Sequence, residues 1–317
     1  WFLSTENSIC TGCSRGCNVY LDYEKETTYR YRPRYNADVN EWWICDEGRL
    51  SYKTLNENRL EIAMNQGSQI PLNIAVEQAA QKIQTVLQEH GKASILALAS
   101  PTASLEDNFM LKHLLIQAVG TDSIYGVNFD RHGEADEMLR MADKTPNNAA
   151  LNLLEINTDR SDLESALKNS ALKLVISLDN DAEDLRGLLK ETGAEVIFLS
   201  SHATPLSLES LAIPITASSE HYASYINADL RLQKVAQAYF PTTEARPGWK
   251  IIAGLFHPLL TAAPLYEDVE DVWTIMRSKY SELKELTFYE IPDDGISLIP
   301  ELPEQPEEEE ALANSHD

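Results

Sequence analysis

Hydrophobic positions along the chain follow two different periods. Through residues 1–60 they come in short alternating runs, as in Asn18-Val19-Tyr20-Leu21 and Thr28-Tyr29-Arg30-Tyr31-Arg32. That alternation is the pattern of small strands around a loop-rich core. From about residue 72 the period changes. Ile74, Ala75, Ala79, Ile83, Val86 and Leu87 recur at helical spacing, Gly91 closes the run, and Ser94-Ile95-Leu96-Ala97-Leu98 follows as a buried strand. Ser104 and Asp107 have the S-x-x-D form of a helix N-cap, opening an amphipathic run to Gly120, and 122–127 reads as the next strand. Further strands are predicted at 172–178 and 195–199, with a helix over 182–190 between them. Residues 211–215 form a short strand whose proline predicts an edge position. Two more helices are expected at 248–260 and 267–286.

Strands separated by helices predict an α/β fold with a parallel sheet. The expected division is a small β-rich domain at 1–60, an α/β body at 61–290 in one or two lobes, and an acidic tail at 291–317. The 317 residues carry a formal charge of −24, yet 1–60 is nearly neutral, with eight Lys/Arg against nine Asp/Glu. Residues 301–317 hold seven acids, two prolines and no Lys or Arg, a composition that is expected to stay disordered. An acidic surface repels phosphate, so nucleic acid and anionic membrane are poor partners, and no apolar stretch approaches the length of a membrane span. Trp1 is no initiator residue, so the chain is expected to have been cut from something longer.

The cysteines carry the chemistry. Cys10, Cys13, Cys17 and Cys45 are the only four, spaced Cys-x2-Cys-x3-Cys-x27-Cys. A disulfide framework spreads along a short secreted chain, whereas three of these thiols share eight residues. One tight loop then supplies three corners of an iron–sulfur cluster, with Gly12 and Gly16 bending the backbone and Cys45 returning as the fourth ligand. Trp42-Trp43-Ile44 is expected to shield it from water. Structural zinc is the alternative, but zinc sites usually pair two Cys-x2-Cys units.

The residues 8–18 around the first three cysteines, and Val39-Asn40-Glu41-Trp42-Trp43-Ile44-Cys45-Asp46-Glu47-Gly48-Arg49, resemble the cluster domain of the molybdopterin oxidoreductase superfamily. Within it they are most similar to the large iron–sulfur subunit of bacterial NADH:quinone oxidoreductase, as are Ala142-Asp143-Lys144-Thr145-Pro146-Asn147 and Glu244-Ala245-Arg246-Pro247-Gly248-Trp249. The resemblance implies a Rossmann-like parallel-sheet body of the molybdopterin-oxidoreductase type. It implies one [4Fe–4S] cluster on Cys10, Cys13, Cys17 and Cys45, and electron transfer within a membrane-associated NADH dehydrogenase complex. The other subunits would be the partners, on the cytoplasmic face of the plasma membrane, with no direct membrane insertion and no small-molecule substrate. Relatives that use molybdenum or tungsten take a downstream Cys, selenocysteine, Ser or Asp ligand, and often a Lys two residues after the last cluster Cys. Here no Cys follows Cys45 and that position is Glu47, so no working molybdopterin site and no catalytic residue are expected. A truncated molybdenum or tungsten oxidoreductase, formate dehydrogenase-like, is the alternative.

Other features carry less. The chain has no G-x-G-x-x-G and no phosphate-loop motif, so nothing in it asks for NADH or ATP. Arg30, Arg32 and Arg34 alternate and read as an interface or exposed sheet face. The seven histidines are scattered. Ser201-His202 and Asp179, Asp181 and Asp184 follow strand ends and read as helix caps and solvated acids.

Overall fold

The computed structural model describes residues 2–129, 131–180 and 183–299. The chain opens with an antiparallel meander of β1 (Ser4–Ile9), β2 (Asn18–Glu24) and β3 (Thr27–Pro33), followed by a short α1 (Asp46–Leu50). The period-two pattern sorts the faces: Val19, Leu21 and Tyr31 are buried together, and Asp22 points the other way. There Asp22 accepts hydrogen bonds from Arg30 Nε at 2.5 Å, Arg32 Nε at 2.7 Å and Thr5 Oγ1 at 2.7 Å. Burial works against its charge, but the Arg32 and Arg30 guanidinium groups hold the carboxyl well below the usual range. Arg34 leaves this face. It follows Pro33, is buried, and donates to Asn18 Oδ1 at 2.6 Å and to the Asp293 carbonyl at 2.8 Å.

The body alternates strand and helix: β4 (Ala63–Asn65), β5 (Ser68–Ile70), α2 (Leu72–His90), β6 (Ile95–Ala99), α3 (Leu105–Leu114) and β7 (Ile124–Gly126). It continues through α4 (Asn148–Leu153), α5 (Arg160–Leu167), β8 (Leu174–Leu178), α6 (Glu183–Thr192), β9 (Glu195–Ser200), α7 (Pro205–Leu208) and β10 (Leu211–Pro214). The seven-stranded sheet has the order β5-β4-β10-β9-β8-β6-β7. From β10 to β7 every pairing is parallel, as the runs at 94–98, 172–178 and 195–199 predict. These strands are mostly apolar because both faces are covered. Ile95, Ala97, Leu174 and Ile176 face one core with α2 and α3, whereas Leu96, Leu98 and Val175 face another with α5 and α6.

The expected edge position of the 211–215 strand is corrected. β10 lies inside the sheet, between β9 and β4. The β4 ladder pairs only with Leu211 and Ala212, so Pro214 extends past it and owes that neighbour no N–H.

A third sheet of β11 (Ala223–Ile226), β12 (Arg231–Val235) and β13 (Ile296–Ser297) joins the two regions, with α8 (Gly248–Leu259) and α9 (Val269–Lys279) between its last two strands. The helix predicted over 267–286 ends at Lys279, where Tyr280 turns extended and 281–283 forms a separate short turn. Residues 291–299 are held rather than free: Leu232 pairs with Ile296, and the Asp294 carbonyl accepts from Arg231 Nε at 2.7 Å. The rest of the expected tail, 300–317, lies outside the described residues.

Two adjacent carboxylates at the start of α3 pin the C-terminal helices to the sheet. Glu106 is fully buried and accepts from Ser224 Oγ at 2.6 Å and Trp273 Nε1 at 2.8 Å, tying α3 to β11 and α9. Asp107 accepts the Trp249 backbone N–H at 2.5 Å, meeting the free donors that open α8. A methyl group on Gly248 would sit 2.8 Å from the Asp107 carboxyl carbon.

Gly248→Ala should therefore lower stability by about 1–3 kcal/mol, read from the urea midpoint. The Asp107 carboxyl is pushed up to about 6, first by burial and further by nearby Asp179, against the pull of the Trp249 N–H. A carboxyl raised in the folded state carries its penalty above pH ~6 and sheds it as pH falls toward ~4, a swing of about 3 kcal/mol. Wild type should gain stability relative to Asp107→Asn between about pH 7 and pH 5. Parallel urea curves at the two pH values, with no relative gain, contradict this.

Candidate functional site

The four cysteines converge where β1, β2 and α1 meet. Cys10 directly follows β1, Cys17 directly precedes β2, and the turn between them closes through the Cys10 N–H donating to the Cys17 carbonyl at 2.8 Å. Gly16 takes φ +64, the left-handed turn that returns the chain to β2. Cys45 caps α1, its Sγ accepting the Gly48 N–H at 3.3 Å. The Gly12 N–H donates to Cys10 Sγ at 3.4 Å, and Ser51 Oγ lies 3.7 Å from the same sulfur. Gly48 shows how close the sulfurs come: a methyl there would lie 3.0 Å from Cys10 Sγ and 3.4 Å from Cys45 Sγ.

Cys10, Cys13 and Cys17 are buried, with Val19, Leu21, Tyr31, Ile44 and Leu55 around them. Burial pushes the Cys10 thiol up to about 11, though the Gly12 N–H and Ser51 pull it down. Cys17 is pushed higher still, by burial and then by the charges of Cys10, Cys13 and Cys45. Thiols this costly to ionise alone are stabilised as thiolates by a multiply charged cationic centre. Among the described residues, no group of three or more His, Cys, Asp or Glu side chains is compact enough for a single metal ion. The donor set, the aimed N–H groups and the cradle at Gly48 fit a polynuclear iron–sulfur centre.

Trp42 and Trp43 do not form the shield expected of them. They are 66% and 59% exposed, and Ile44 alone of the three turns inward. Glu47, standing where relatives often carry a lysine, is paired: Lys144 Nζ lies 2.8 Å from its Oε2 and Arg140 Nη1 3.7 Å away. Both cations come from a loop distant in sequence.

A second feature lies outside the carboxyl ends of the parallel strands, the usual ligand crevice of such sheets. It is a cavity of about 250 Å³ running from Thr11 on the cysteine loop to Asp107, Asp179, Ser201, Thr216 and His221. Asp179 is no solvated acid. It has φ +42, and its Oδ1 accepts from the Ser201 N–H at 2.9 Å and Ser201 Oγ at 2.7 Å. Ser201 Oγ also lies 2.7 Å from His202 Nδ1, while His202 Nε2 faces the Thr54 carbonyl at 2.8 Å. Asp181 and the side chain of Asp184 lie outside the described residues. Sequence reasoning gave Asp107 only a place in the α3 N-cap and left His221 among the scattered histidines, because nothing local shows which distant groups a residue will meet through the fold. Arg131 is the only Lys or Arg among the described residues lining this cavity. Two carboxylates, Asp107 and Asp179, thus share this lining with that one guanidinium.

Comparison with known proteins agrees with this architecture. Residues 3–57 match the molybdopterin oxidoreductase Fe4S4 domain family, and residues 131–257 match the molybdopterin oxidoreductase family. Two stretches of the chain are thus similar to molybdopterin oxidoreductase domains, and its small β-rich region before a parallel-rich body matches the fold of that group. Among individual proteins, a subunit of the NADH-quinone oxidoreductase of Pseudomonas fluorescens is 29% identical over 226 residues, covering 67% of this chain and 24% of that protein. The subunit of the same name from Escherichia coli (strain K12) is 33% identical over 140 residues, covering 44% of this chain and 14% of that protein. The chain therefore spans a quarter or less of the length of these relatives. Acetylene hydratase from Pelobacter acetylenicus shares the fold at a TM-score of 0.60 and 9% identity, over 90% of this chain and 73% of that one.

Gly48→Ala tests the cradle. The added methyl presses on Cys10 and Cys45 together, so iron retained after anaerobic reconstitution should fall severalfold while far-ultraviolet circular dichroism stays unchanged. Wild-type iron content in this variant would remove the argument from close approach.

Proposed function

We propose that the chain is an iron–sulfur electron-transfer and scaffold module of a multi-subunit NADH:quinone oxidoreductase, with Cys10, Cys13, Cys17 and Cys45 holding one [4Fe–4S] cluster and no working pterin site. The observation that carries this is the convergence of buried sulfurs around Gly48, with backbone N–H groups aimed at Cys10 and Cys45. A cluster held there supplies one-electron transfer without a bound substrate. The chain's own residues supply the rest: Ile44, Val19 and Leu21 exclude water, and the Gly12 and Gly48 N–H groups offset negative charge on sulfur. In this reading 1–60 is the cluster domain, 61–290 the supporting body, and any NADH chemistry belongs to a partner subunit.

The placement in a respiratory complex is supported by the name shared by the Pseudomonas and Escherichia relatives. The module would be peripheral on the inner face of the plasma membrane. No helix among the described residues is long and apolar enough to cross a membrane. A second reading, a piece of a molybdenum or tungsten pterin oxidoreductase, is favoured by the family match over 131–257 and opposed by the acidic lining of the cavity.

Anaerobically purified chain should show the broad visible absorption of an iron–sulfur cluster and, when reduced, the electron-spin signal of a tetranuclear one. Cys13→Ser and Cys45→Ser should weaken or abolish both, and unchanged iron in the two variants would remove the ligand assignment. Metal analysis separates the readings: about four iron per chain without molybdenum or tungsten supports the first. Molybdenum or tungsten with pterin fluorescence supports the second.

A further inference from the structure

The loop 36–43 presents two tryptophans to solvent and is built too firmly for that to be incidental. Asn36 is buried, and its backbone carbonyl accepts from the Glu41 N–H at 2.7 Å while Asn36 Nδ2 donates to the Asp294 carbonyl at 2.9 Å. Asn40 is also buried, and its Nδ2 donates to the Trp43 carbonyl at 2.9 Å and the Arg34 carbonyl at 3.2 Å. Glu41, between them, is forced to φ +46, a left-handed conformation that a glutamate adopts only where its surroundings over-determine it. The product of this strain is a rigid turn that points Trp42 and Trp43 outward. Tyr35, itself exposed, packs on Trp42 with ring centroids 4.4 Å apart.

Exposed, immobilised tryptophan is the hallmark of an interface anchor, since its large surface is already ordered before binding. The charges around the turn are mainly acidic. Asp38, Glu41 and Asp46 are exposed there against Arg49, on a chain whose formal charge is −24. Asp38 is paired with Arg231, whereas Glu41 and Asp46 have no ion-pair partner among the described residues.

We propose that the Tyr35–Trp42–Trp43 face is the docking surface for a partner protein whose positively charged rim surrounds an apolar pocket. Trp43 lies two residues before Cys45, so a partner seated here is brought against the cysteine site; that consequence rests on the cluster reading above. A second copy of this chain carries the same acidic rim and would be repelled.

The test uses mitochondrial cytochrome c, whose exposed apolar haem edge is ringed by lysines, as a defined probe of this chemistry. Binding to the whole chain, measured by calorimetry at low salt, should weaken about tenfold in Trp42→Ala/Trp43→Ala and severalfold in Glu41→Gln. Glu89→Gln, a control on the far end of α2, should leave it unchanged. Binding that survives the double substitution, or falls equally in the control, overturns the proposal. So does sedimentation showing a dimer that the double substitution dissolves, because a second copy is then the occupant. Circular dichroism and iron content are recorded on the same samples. An iron-free wild type that still binds through Trp42 and Trp43 sinks the cluster reading and keeps the docking surface, whereas iron-loaded chain with Trp-independent binding does the reverse.

Discussion

A buried hydrogen-bond network centred on Asn18 holds the cysteine loop to the rest of the molecule. Asn18 Nδ2 donates to Gln233 Oε1 at 2.5 Å, and Gln233 Nε2 donates to the Gly16 carbonyl at 3.0 Å, so β12 grips the turn between Cys13 and Cys17. Asn18 Oδ1 accepts from Arg34 and from Asn36, and Asn40 Oδ1 accepts the Asn18 N–H at 2.8 Å. Every member is inside, where an unmet polar group costs about 1–3 kcal/mol, so the network holds as a unit. The same asparagines fix the turn that exposes Trp42 and Trp43. The position of the sulfurs and the outward face of the loop are thus two consequences of one constraint.

The body is fixed by charge as much as by apolar packing. Glu106 and Asp107 occupy neighbouring positions on α3 and reach in different directions, one to β11 and α9, the other to the first turn of α8. Arg59 and buried Glu220 form a further, largely enclosed pair at 2.7 Å, and Arg59 Nε donates to the Ser201 carbonyl at 2.9 Å. That pair joins the segment leaving the cysteine region to the end of β9 and to the loop before β11. Breaking one partner of such a pair strands a charge in low dielectric, which is more costly than never having built it. The orientation of the cysteine region on the sheet is therefore specified by a few polar contacts set among apolar ones.

The crevice at the strand ends is shaped by the same economy of polar groups. Asp107 and Asp179 both face it, yet each is engaged: Asp107 with the α8 N-terminus, Asp179 with Ser201. A sheet of this type keeps its ligand crevice as a matter of topology, while side chains decide whether anything anionic can enter.

The local sequence settled a good deal. Strict apolar runs, the Ser104 N-cap and the terminating Gly91 and Gly120 placed α2, β6, α3, β8 and β9, because helix caps and two-sided burial are written in neighbouring residues. The cysteine spacing singled out the candidate site for the same reason: three of its thiols share one turn. What the chain alone left undecided depends on residues far apart. Pro214 looked like an edge signal, yet two β4 pairings that stop short of it put β10 inside the sheet. Trp42 and Trp43 looked like a shield, and only Asn36, Asn40 and the Asp294 carbonyl turn them outward. Glu47 meets Lys144, nearly a hundred residues on, and Asp107 meets Trp249 still farther away. Periodicity reports which side of an element is apolar; it carries no information about which distant polar group will be waiting there, and that is decided only when the layers pack.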